Sequence, residues 1–220
     1  MVYVFTLICE GKMLSPLKRK SDSVPEGQKK QKEIPHVIYV LDRSGSMGQY
    51  GDEGYGSIQA AIEDLPESRG DNCLLSVFSF DDKHEEIAKS VMVKGYILPK
   101  ESVKPRGLTA LRDAISNALE YAGSLPPEES KYLVVFTDGE DNKSTISKES
   151  LKALLEESSV DITWLAAGEA KIMSATELGV GERDVLKVGG SGQNMMDSMR
   201  FSSQKPVTGF TQAQRQTSIQ

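Results

Sequence analysis

Residues 37–46 read VIYVLDRSGS, and this stretch decides the fold that we expect. The five residues from Val37 to Leu41 are all apolar, and several are β-branched. A continuous apolar run of this length is typical of a strand buried on both faces, as in a parallel sheet covered by helices. The run passes directly into the polar residues Asp42 to Ser46, so a loop is expected to begin where the strand ends.

Strands and helices are predicted to alternate along the rest of the chain. Strands that alternate with helices form a parallel, doubly wound sheet. The short turn at residues 81–83 predicts one hairpin, and therefore one antiparallel edge strand. A short helix over 58–65 is expected to end at Pro66. The sequence predicts an α/β fold with helices on both faces of a mostly parallel six-stranded sheet, its strands lying near 37–41, 74–80, 86–93, 131–137, 161–166 and 185–188.

The composition excludes several classes of protein. The 220-residue chain has 26 Lys and Arg residues against 32 Asp and Glu. Its positive charge is concentrated near the start, so the body is acidic and we expect no direct nucleic-acid binding by the domain. Two cysteines and two histidines exclude a disulfide framework and a cysteine-rich or histidine-rich metal site. No apolar stretch reaches the roughly 18 residues of a membrane helix, so we expect no membrane contact.

Composition also divides the chain into three parts. Residues 1–33 form a basic, polar arm that is expected to be largely flexible. Residues 34–201 carry the hydrophobic pattern of the folded domain. Residues 202–220 are rich in Gln, Ser and Thr and are expected to form a mobile tail.

The arm bears on the location of the protein. Its clusters Lys18-Arg19-Lys20 and Lys29-Lys30-Gln31-Lys32 loosely fit a bipartite nuclear-import signal. A solvated linker is the simpler interpretation, because short basic runs are common. The apolar start Met1–Cys9 lacks the basic region and the cleavage site of a secretory signal. We therefore expect an intracellular protein, cytoplasmic or nuclear.

Five oxygen-bearing residues lie where predicted strands end or a helix begins. Asp42, Ser44 and Ser46 follow the first strand at alternate positions. Asp138 follows a later strand, and Thr109 begins a predicted helix. A doubly wound sheet binds ligands at the carboxyl ends of its strands, where the strand order reverses. Two carboxylates and three hydroxyl groups meeting there would suit Mg²⁺ or Mn²⁺. Because two carboxylates only just neutralise a divalent ion, the metal could still accept an anionic ligand.

Each of these residues also has a purely structural explanation. Asp42 could form an Asx-turn, and serines are common in loops. Thr109 could be the N-cap of a helix over 109–122. Asp138 and Gly139 are an ordinary turn pair. The occurrence of all five residues at one predicted crevice favours the metal site over these separate explanations.

Three short motifs resemble those of the von Willebrand factor A domain family. Residues 42–47 (DRSGSM) match its metal-ion-dependent adhesion site motif, Asp-x-Ser-x-Ser. Residues 107–111 (GLTAL) resemble its second motif, and residues 136–141 (FTDGED) resemble its third. The resemblance covers about residues 34–200 and indicates a small, stand-alone intracellular member with an intact metal site. One departure is Leu108, where the family usually has a second glycine.

The resemblance implies a Rossmann-like fold and a Mg²⁺ or Mn²⁺ ion held by Asp42, Ser44, Ser46, Thr109 and Asp138. In the family, hydroxyl groups at such positions ligate the metal directly, and the carboxylates usually act through water. An acidic side chain of a partner protein completes the shell. We therefore expect a metal-dependent protein-interaction module, not an enzyme, that captures an Asp or Glu of a partner protein.

A metal-dependent hydrolase or phosphotransferase, with Asp42 or Ser44 as nucleophile, is the alternative. Catalysis would also need a positioned base. His36 is expected at the opposite end of the sheet from the site. His84 lies in a hairpin with Asp81, Asp82, Glu85 and Glu86. This cluster could be a second weak cation site, but we interpret it as a solvent-exposed hairpin. A scaffold with vestigial motif residues is a third possibility, and the intact set of five residues argues against it.

Overall fold

The computed structural model describes residues 33–138, 141–167, 175–189, 192–204 and 209–217. Its strands are β1 (Ile34–Asp42), β2 (Leu74–Phe80), β3 (His84–Met92), β4 (Glu129–Thr137), β5 (Asp161–Ala167) and β6 (Val185–Val188). Its helices are α1 (Gly51–Arg69), α2 (Leu111–Ser124), α3 (Lys148–Glu157), α4 (Gly192–Ser203) and α5 (Gln212–Thr217). Short 3₁₀ helices occur at Gly45–Tyr50, Lys100–Val103 and Glu182–Asp184.

β1 lies in the middle of a sheet whose strand order is β3-β2-β1-β4-β5-β6. It pairs in parallel with β2 and β4, and parallel pairing continues from β4 through β5 to β6. β3 pairs with β2 in the antiparallel sense at the edge. The structure confirms the predicted sheet. Because the strand order reverses between β1 and β4, the ends of these two strands form the expected ligand crevice.

The side chains of β1 alternate between two hydrophobic layers. Tyr39 and Leu41 pack on one face with side chains of α1 and α4. Ile38 and Val40 pack on the other face with side chains of α2 and α3. All four side chains are fully buried. Helices cover both faces of this strand, which explains its uninterrupted apolar sequence.

Helix α1 is longer than the sequence predicts. It runs through Pro66 to Arg69, so the predicted end of the 58–65 helix at that proline is wrong. Pro66 lies in the last turn, and its carbonyl oxygen accepts a hydrogen bond from the N–H of Gly70 at 3.0 Å. The neighbouring Leu65 is fully buried in the core. Tertiary packing of this face therefore outweighs the local cost of the proline.

The described part of the C-terminal segment makes ordered contacts. Phe210 is buried, and its N–H donates a hydrogen bond to the carbonyl oxygen of Arg183 at 2.8 Å. The division of the chain at residues 33 and 201 and the mobility of 202–220 stay predictions, because residues 1–32 and parts of the tail lie outside the described residues. Among the residues that are described, no helix is both long and apolar enough to cross a bilayer.

Candidate metal centre

Asp42 holds the loop that follows β1. Its Oδ1 accepts a hydrogen bond from the backbone N–H of Ser44 at 2.7 Å, which is an Asx-turn. Its Oδ2 accepts a hydrogen bond from the hydroxyl group of Thr137, at the end of β4, at 2.6 Å. The structural explanation of Asp42 is therefore correct. The Asx-turn lies inside the crevice, and the same Asp42 side chain connects the ends of β1 and β4 through Thr137.

A chain of hydrogen bonds connects four of the five predicted ligands. The hydroxyl oxygens of Ser44 and Ser46 lie 3.1 Å apart. The hydroxyl group of Ser46 donates to Oδ1 of Asp138 at 2.8 Å, and the side-chain amide of Gln49 donates to Oδ2 of Asp138, also at 2.8 Å. Together with the Asx-turn of Asp42, these contacts bring two carboxylates and two hydroxyl groups to one place.

The loop of Thr109 joins this group through its backbone. The N–H of Gly45 donates to the carbonyl oxygen of Gly107 at 3.2 Å, which places the two loops in contact. The N–H of Thr109 donates to Oδ1 of Asn142 at 2.9 Å. In return, the N–H of Asn142 donates to the carbonyl oxygen of Thr109 at 3.1 Å. Within the described residues, the hydrogen bonds of Thr109 all involve its backbone, so its position is set without its hydroxyl group.

Thr109 is not the N-cap of the helix that follows it. The N-cap of α2 is Ala110, and no side chain at that position caps the helix. The N–H of Arg112 donates instead to Oδ2 of Asp141 at 2.7 Å. The loop after β4 therefore supplies the acceptor that a threonine cap would have supplied. This result removes the structural explanation of the Thr109 side chain.

The electrostatics of the crevice favour a bound cation. Asp42 and Asp138 are only 2% and 1% exposed. Burial raises the pKa of Asp42 above its ordinary value; hydrogen bonds from Thr137 and Ser44 lower it, and the charge of Asp138 raises it again. Two negative charges are thus unfavourable here without a counter-ion. The all-oxygen donor set fits Mg²⁺ or Mn²⁺.

Other metal chemistries lack support in the described part of the chain. It contains no cluster of three or more His, Cys, Asp or Glu side chains that could hold a metal ion. The charged residues among the candidate ligands number only two, Asp42 and Asp138, and the remaining donors are hydroxyl groups. The candidate site therefore depends on Ser and Thr oxygens as much as on carboxylates.

The prediction of a solvent-exposed hairpin is wrong for Asp81, whereas Asp82 and Glu86 in the same hairpin are exposed. The side chain of Asp81 is fully buried. Its Oδ2 accepts hydrogen bonds from Nε of Arg43 at 3.0 Å and from Nε of Arg106 at 2.6 Å. Arg43 lies within the DRSGSM motif, and Arg106 immediately precedes the GLTAL motif. Sequence pattern carries no signal for this contact, because it depends on the pairing of β1 with β2.

Sequence reasoning also missed three side chains that hold site residues in place, namely Gln49, Thr137 and Asn142. Thr137 could have been found, because it directly precedes Asp138 at the end of a strand. Gln49 lies in a glycine-rich segment without a recognisable pattern. Asn142 begins the sequence Asn142-Lys143-Ser144, which fits a glycosylation sequon and gives no indication of a role at the site.

Neither histidine reaches the candidate site. His36 lies near the start of β1, where its Nδ1 is 2.7 Å from Oε2 of Glu129 and its Nε2 is 2.8 Å from Oγ of Ser76. Both ring nitrogens are thus occupied at the opposite end of the sheet, as predicted. His84 stacks on Phe78, with ring centroids 4.9 Å apart.

Residues 37–140 match the family model of the von Willebrand factor type A domain. This range contains all five predicted ligands, β4, and β1 from Val37 onward; four of the five ligands lie at or just after the ends of these two strands. The strand order and the helices on both faces agree with the fold of that class. Residues 37–140 are therefore similar in sequence to a von Willebrand factor type A domain, and the sheet has a fold like that of this class.

Several solved structures of this class are similar in fold. A von Willebrand factor type A protein from Catenulispora acidiphila has a TM-score of 0.57 and 18% identity, over 79% of this chain and 42% of that one. Proximal thread matrix protein 1 from the mussel byssus, with a zinc-occupied MIDAS motif, has a TM-score of 0.58 and 19% identity, over 78% and 45%. The manganese-loaded TRAP protein of Plasmodium vivax has a TM-score of 0.55 and 16% identity, over 71% and 68%.

At these identities the likeness concerns the fold alone. The chain spans less than half the length of the first two structures. No protein of curated function matches the sequence.

Proposed function

We propose that the domain binds a divalent cation, Mg²⁺ or Mn²⁺, and uses it to capture an acidic side chain of a partner protein. The residues that would hold the ion are Asp42, Ser44, Ser46, Thr109 and Asp138. The observation that supports this proposal best is the hydrogen-bonded chain from Asp42 through the two serines to Asp138. It gathers oxygen donors from the ends of β1 and β4, where the strand order reverses.

The bound ion would supply an electrophilic centre to the surface of the domain. Two carboxylates balance its charge, so an added carboxylate from outside can still be attracted. The chain's own residues act as a frame in this proposal. Thr137 orients Asp42, Gln49 orients Asp138, and Asn142 holds the Thr109 loop.

The comparisons support the class of function but not its partner. Domains of the von Willebrand factor A type are typically non-catalytic interaction modules. Two similar structures hold zinc and manganese, respectively. An intact metal site, a stand-alone intracellular type and a cytoplasmic or nuclear location belong to the proposal. A reducing compartment is compatible with Cys73, which is a buried free thiol.

The alternative, a metal-dependent hydrolase or phosphotransferase, lacks the groups that catalysis would need. Each oxygen of Asp42 uses one lone pair to hold the loop and β4 and has a second lone pair for the metal ion, so in this proposal the carboxylate is not free to act as a nucleophile. A base would have to come from elsewhere, because His36 is occupied by Glu129 and Ser76. We therefore propose that the domain is not an enzyme.

Titration of the full chain with Mn²⁺ by calorimetry tests the metal site. Wild type is expected to bind one equivalent, and Asp42→Asn is expected to bind none, since it removes one of the two charges. Glu129→Gln is the matched control, because it removes a carboxylate at the far end of the same sheet. Equal Mn²⁺ affinity in wild type and Asp42→Asn would overturn the proposed site.

Capture of a partner tests the second half of the proposal. Immobilised wild type is expected to retain its partner in Mg²⁺ but to release it in EDTA, whereas Asp42→Asn retains it in neither. Once a partner is identified, neutralising one of its acidic side chains should abolish binding. If no single or combined substitution of its exposed acids has an effect, the metal-bridged contact is wrong. Hydrolysis of p-nitrophenyl phosphate in Mg²⁺ above the Asp42→Asn background would favour the enzyme instead.

A further inference from the structure

We propose that Asp81 is a positioning residue for the metal centre. It holds the serine loop (residues 43–46) and the threonine loop (residues 106–110) in register through Arg43 and Arg106. This inference rests on the proposed function. It assigns a role to a residue outside the five predicted ligands.

The carboxylate of Asp81 accepts hydrogen bonds from two arginines and a backbone N–H. Its Oδ2 accepts hydrogen bonds from Nε of Arg43 at 3.0 Å and from Nε of Arg106 at 2.6 Å. Its Oδ1 accepts a hydrogen bond from the N–H of Lys83 at 2.8 Å. The Asp81 side chain is fully buried, and that of Arg43 is 3% exposed. The charge of this buried carboxylate is already balanced by two arginines, so we assign it the role of fixing other residues and not that of a metal ligand.

The two arginines connect Asp81 to both metal loops. Arg43 stands between Asp42 and Ser44, so fixing its side chain fixes the backbone between two predicted ligands. Arg106 lies in the same loop as Thr109, directly before Gly107. The N–H of Arg106 also donates to the carbonyl oxygen of Arg43 at 2.7 Å, which binds the two loops directly.

The backbone of Asp81 adds a third link to the threonine loop. Its carbonyl oxygen accepts a hydrogen bond from the N–H of Ala110, the neighbour of Thr109, at 2.7 Å. On the other side, the N–H of Arg43 donates to the carbonyl oxygen of Phe80 at 2.8 Å. The end of β2 is thus hydrogen-bonded to both loops. The side chain and the backbone of Asp81 therefore add to the direct backbone hydrogen bonds that join these loops.

Charge makes this arrangement specific to an ionised Asp81. A buried guanidinium such as that of Arg43 is strongly unfavourable unless an opposite charge compensates it. Burial raises the pKa of Asp81, but the hydrogen bond from Arg106, the Lys83 N–H and the charge of Arg43 outweigh this effect and leave it below its ordinary value. Glu85 contacts both arginines at the exposed side of the group. Replacement of Asp81 by a neutral residue would leave both arginines with Glu85 as their remaining acidic partner and would loosen both loops.

The test measures Mn²⁺ affinity and loop protection in the full chain. Asp81→Asn keeps the size of the side chain but removes its charge, and is expected to raise the Kd for Mn²⁺ by about tenfold or more, as for other residues that orient metal ligands. Glu129→Gln is the control, since it breaks a buried pair with His36 on the same sheet. Its Kd is expected to stay within about twofold of wild type, at a comparable loss of thermal stability.

A second measurement does not depend on metal. In EDTA, hydrogen–deuterium exchange of the segments 43–46 and 106–110 is expected to speed up in Asp81→Asn and to stay unchanged in Glu129→Gln. If Asp81→Asn does not fold, Arg106→Gln carries the same test, because Arg106 is half-exposed and its loss removes one of the two arginine contacts. It is expected to change both measurements in the same direction by a smaller amount.

The outcomes separate this inference from the proposed function. Unchanged Kd and unchanged exchange in the folded variants, with Asp42→Asn unable to bind Mn²⁺, would overturn the positioning role alone. Failure of wild type to bind Mn²⁺ would overturn both. A Kd that rises equally in Asp81→Asn and in Glu129→Gln would reduce Asp81 to a general stabilising residue.

Discussion

Substitution of Thr109 by valine separates a metal ligand from a helix cap. Valine keeps the shape of the side chain and removes only the hydroxyl group. A threonine N-cap would lose about 1 kcal/mol of stability on this change. In this structure the N-cap is Ala110, and the N–H of Arg112 is satisfied by Asp141. We therefore expect Thr109→Val to change the free energy of unfolding in EDTA by no more than about 0.5 kcal/mol, because it removes no hydrogen bond within the described residues.

In the presence of metal, the same substitution is expected to have a large effect. A ligand at 100 times its Kd stabilises the folded state by about 2.7 kcal/mol. For a domain of this size, each kcal/mol corresponds to about 2–4 °C in Tm. Wild type should therefore gain roughly 5–11 °C on addition of Mg²⁺ or Mn²⁺. If Thr109→Val weakens metal binding a hundredfold, it keeps only about 0.4 kcal/mol at the same concentration.

Thermal unfolding followed by circular dichroism, in EDTA and in millimolar Mn²⁺, measures both effects. Thr109→Ser restores the hydroxyl group and should recover most of the metal response, which makes it the matched control. A Thr109→Val variant that loses about 1 kcal/mol in EDTA and still responds to metal like wild type would contradict the assignment of Thr109 as a metal ligand. That result would make Thr109 a structural residue after all.

Three further predictions concern charge, backbone conformation and a buried thiol. In EDTA, Asp42→Asn is expected to be more stable than wild type, and the difference in stability is expected to grow as the pH rises above 3.8. The reason is that the raised pKa of Asp42 makes the folded state bind the proton more tightly than the unfolded chain does. Tm values of both proteins from acid to neutral pH measure this difference, and a difference that shrinks would contradict the prediction. Gly107→Ala is expected to lower the free energy of unfolding in urea by at least about 1 kcal/mol, because Gly107 has φ +69° and a Cβ there would lie 2.8 Å from Oδ1 of Asp82. Gly123→Ala is the control. It lies inside α2 with open space around it and should not destabilise the domain. Burial raises the pKa of Cys73 to about 11, so its thiol should react with Ellman's reagent at neutral pH only after unfolding, in a variant whose other cysteine is serine; rapid reaction in the folded state would rule out a buried thiol.

The fold and the five predicted ligands could be proposed from local sequence because each leaves a local mark. A strand covered on both faces must be apolar at every position, and the run from Val37 to Leu41 satisfies this requirement. Parallel strands place their carboxyl ends at one edge, so polar residues that directly follow two such strands are expected to meet. The contacts of Asp42 and Asp138 in the crevice follow from this topology. Their assignment as metal ligands stays a prediction.

The side chains that hold the site were decided by tertiary structure alone. Thr137 donates to a residue 95 positions away, and Asp81 contacts Arg43 across 38 positions. Hydrogen bonds act over about 3 Å, so each of these contacts depends on strand register and loop path, which hydrophobic periodicity does not specify. The same reason explains why Thr109 is not a helix cap. Its local sequence is compatible with one, but Asp141 from a distant loop accepts the hydrogen bond of the Arg112 N–H. Local pattern determined which residues arrive at the crevice, and three-dimensional packing determined what holds them there.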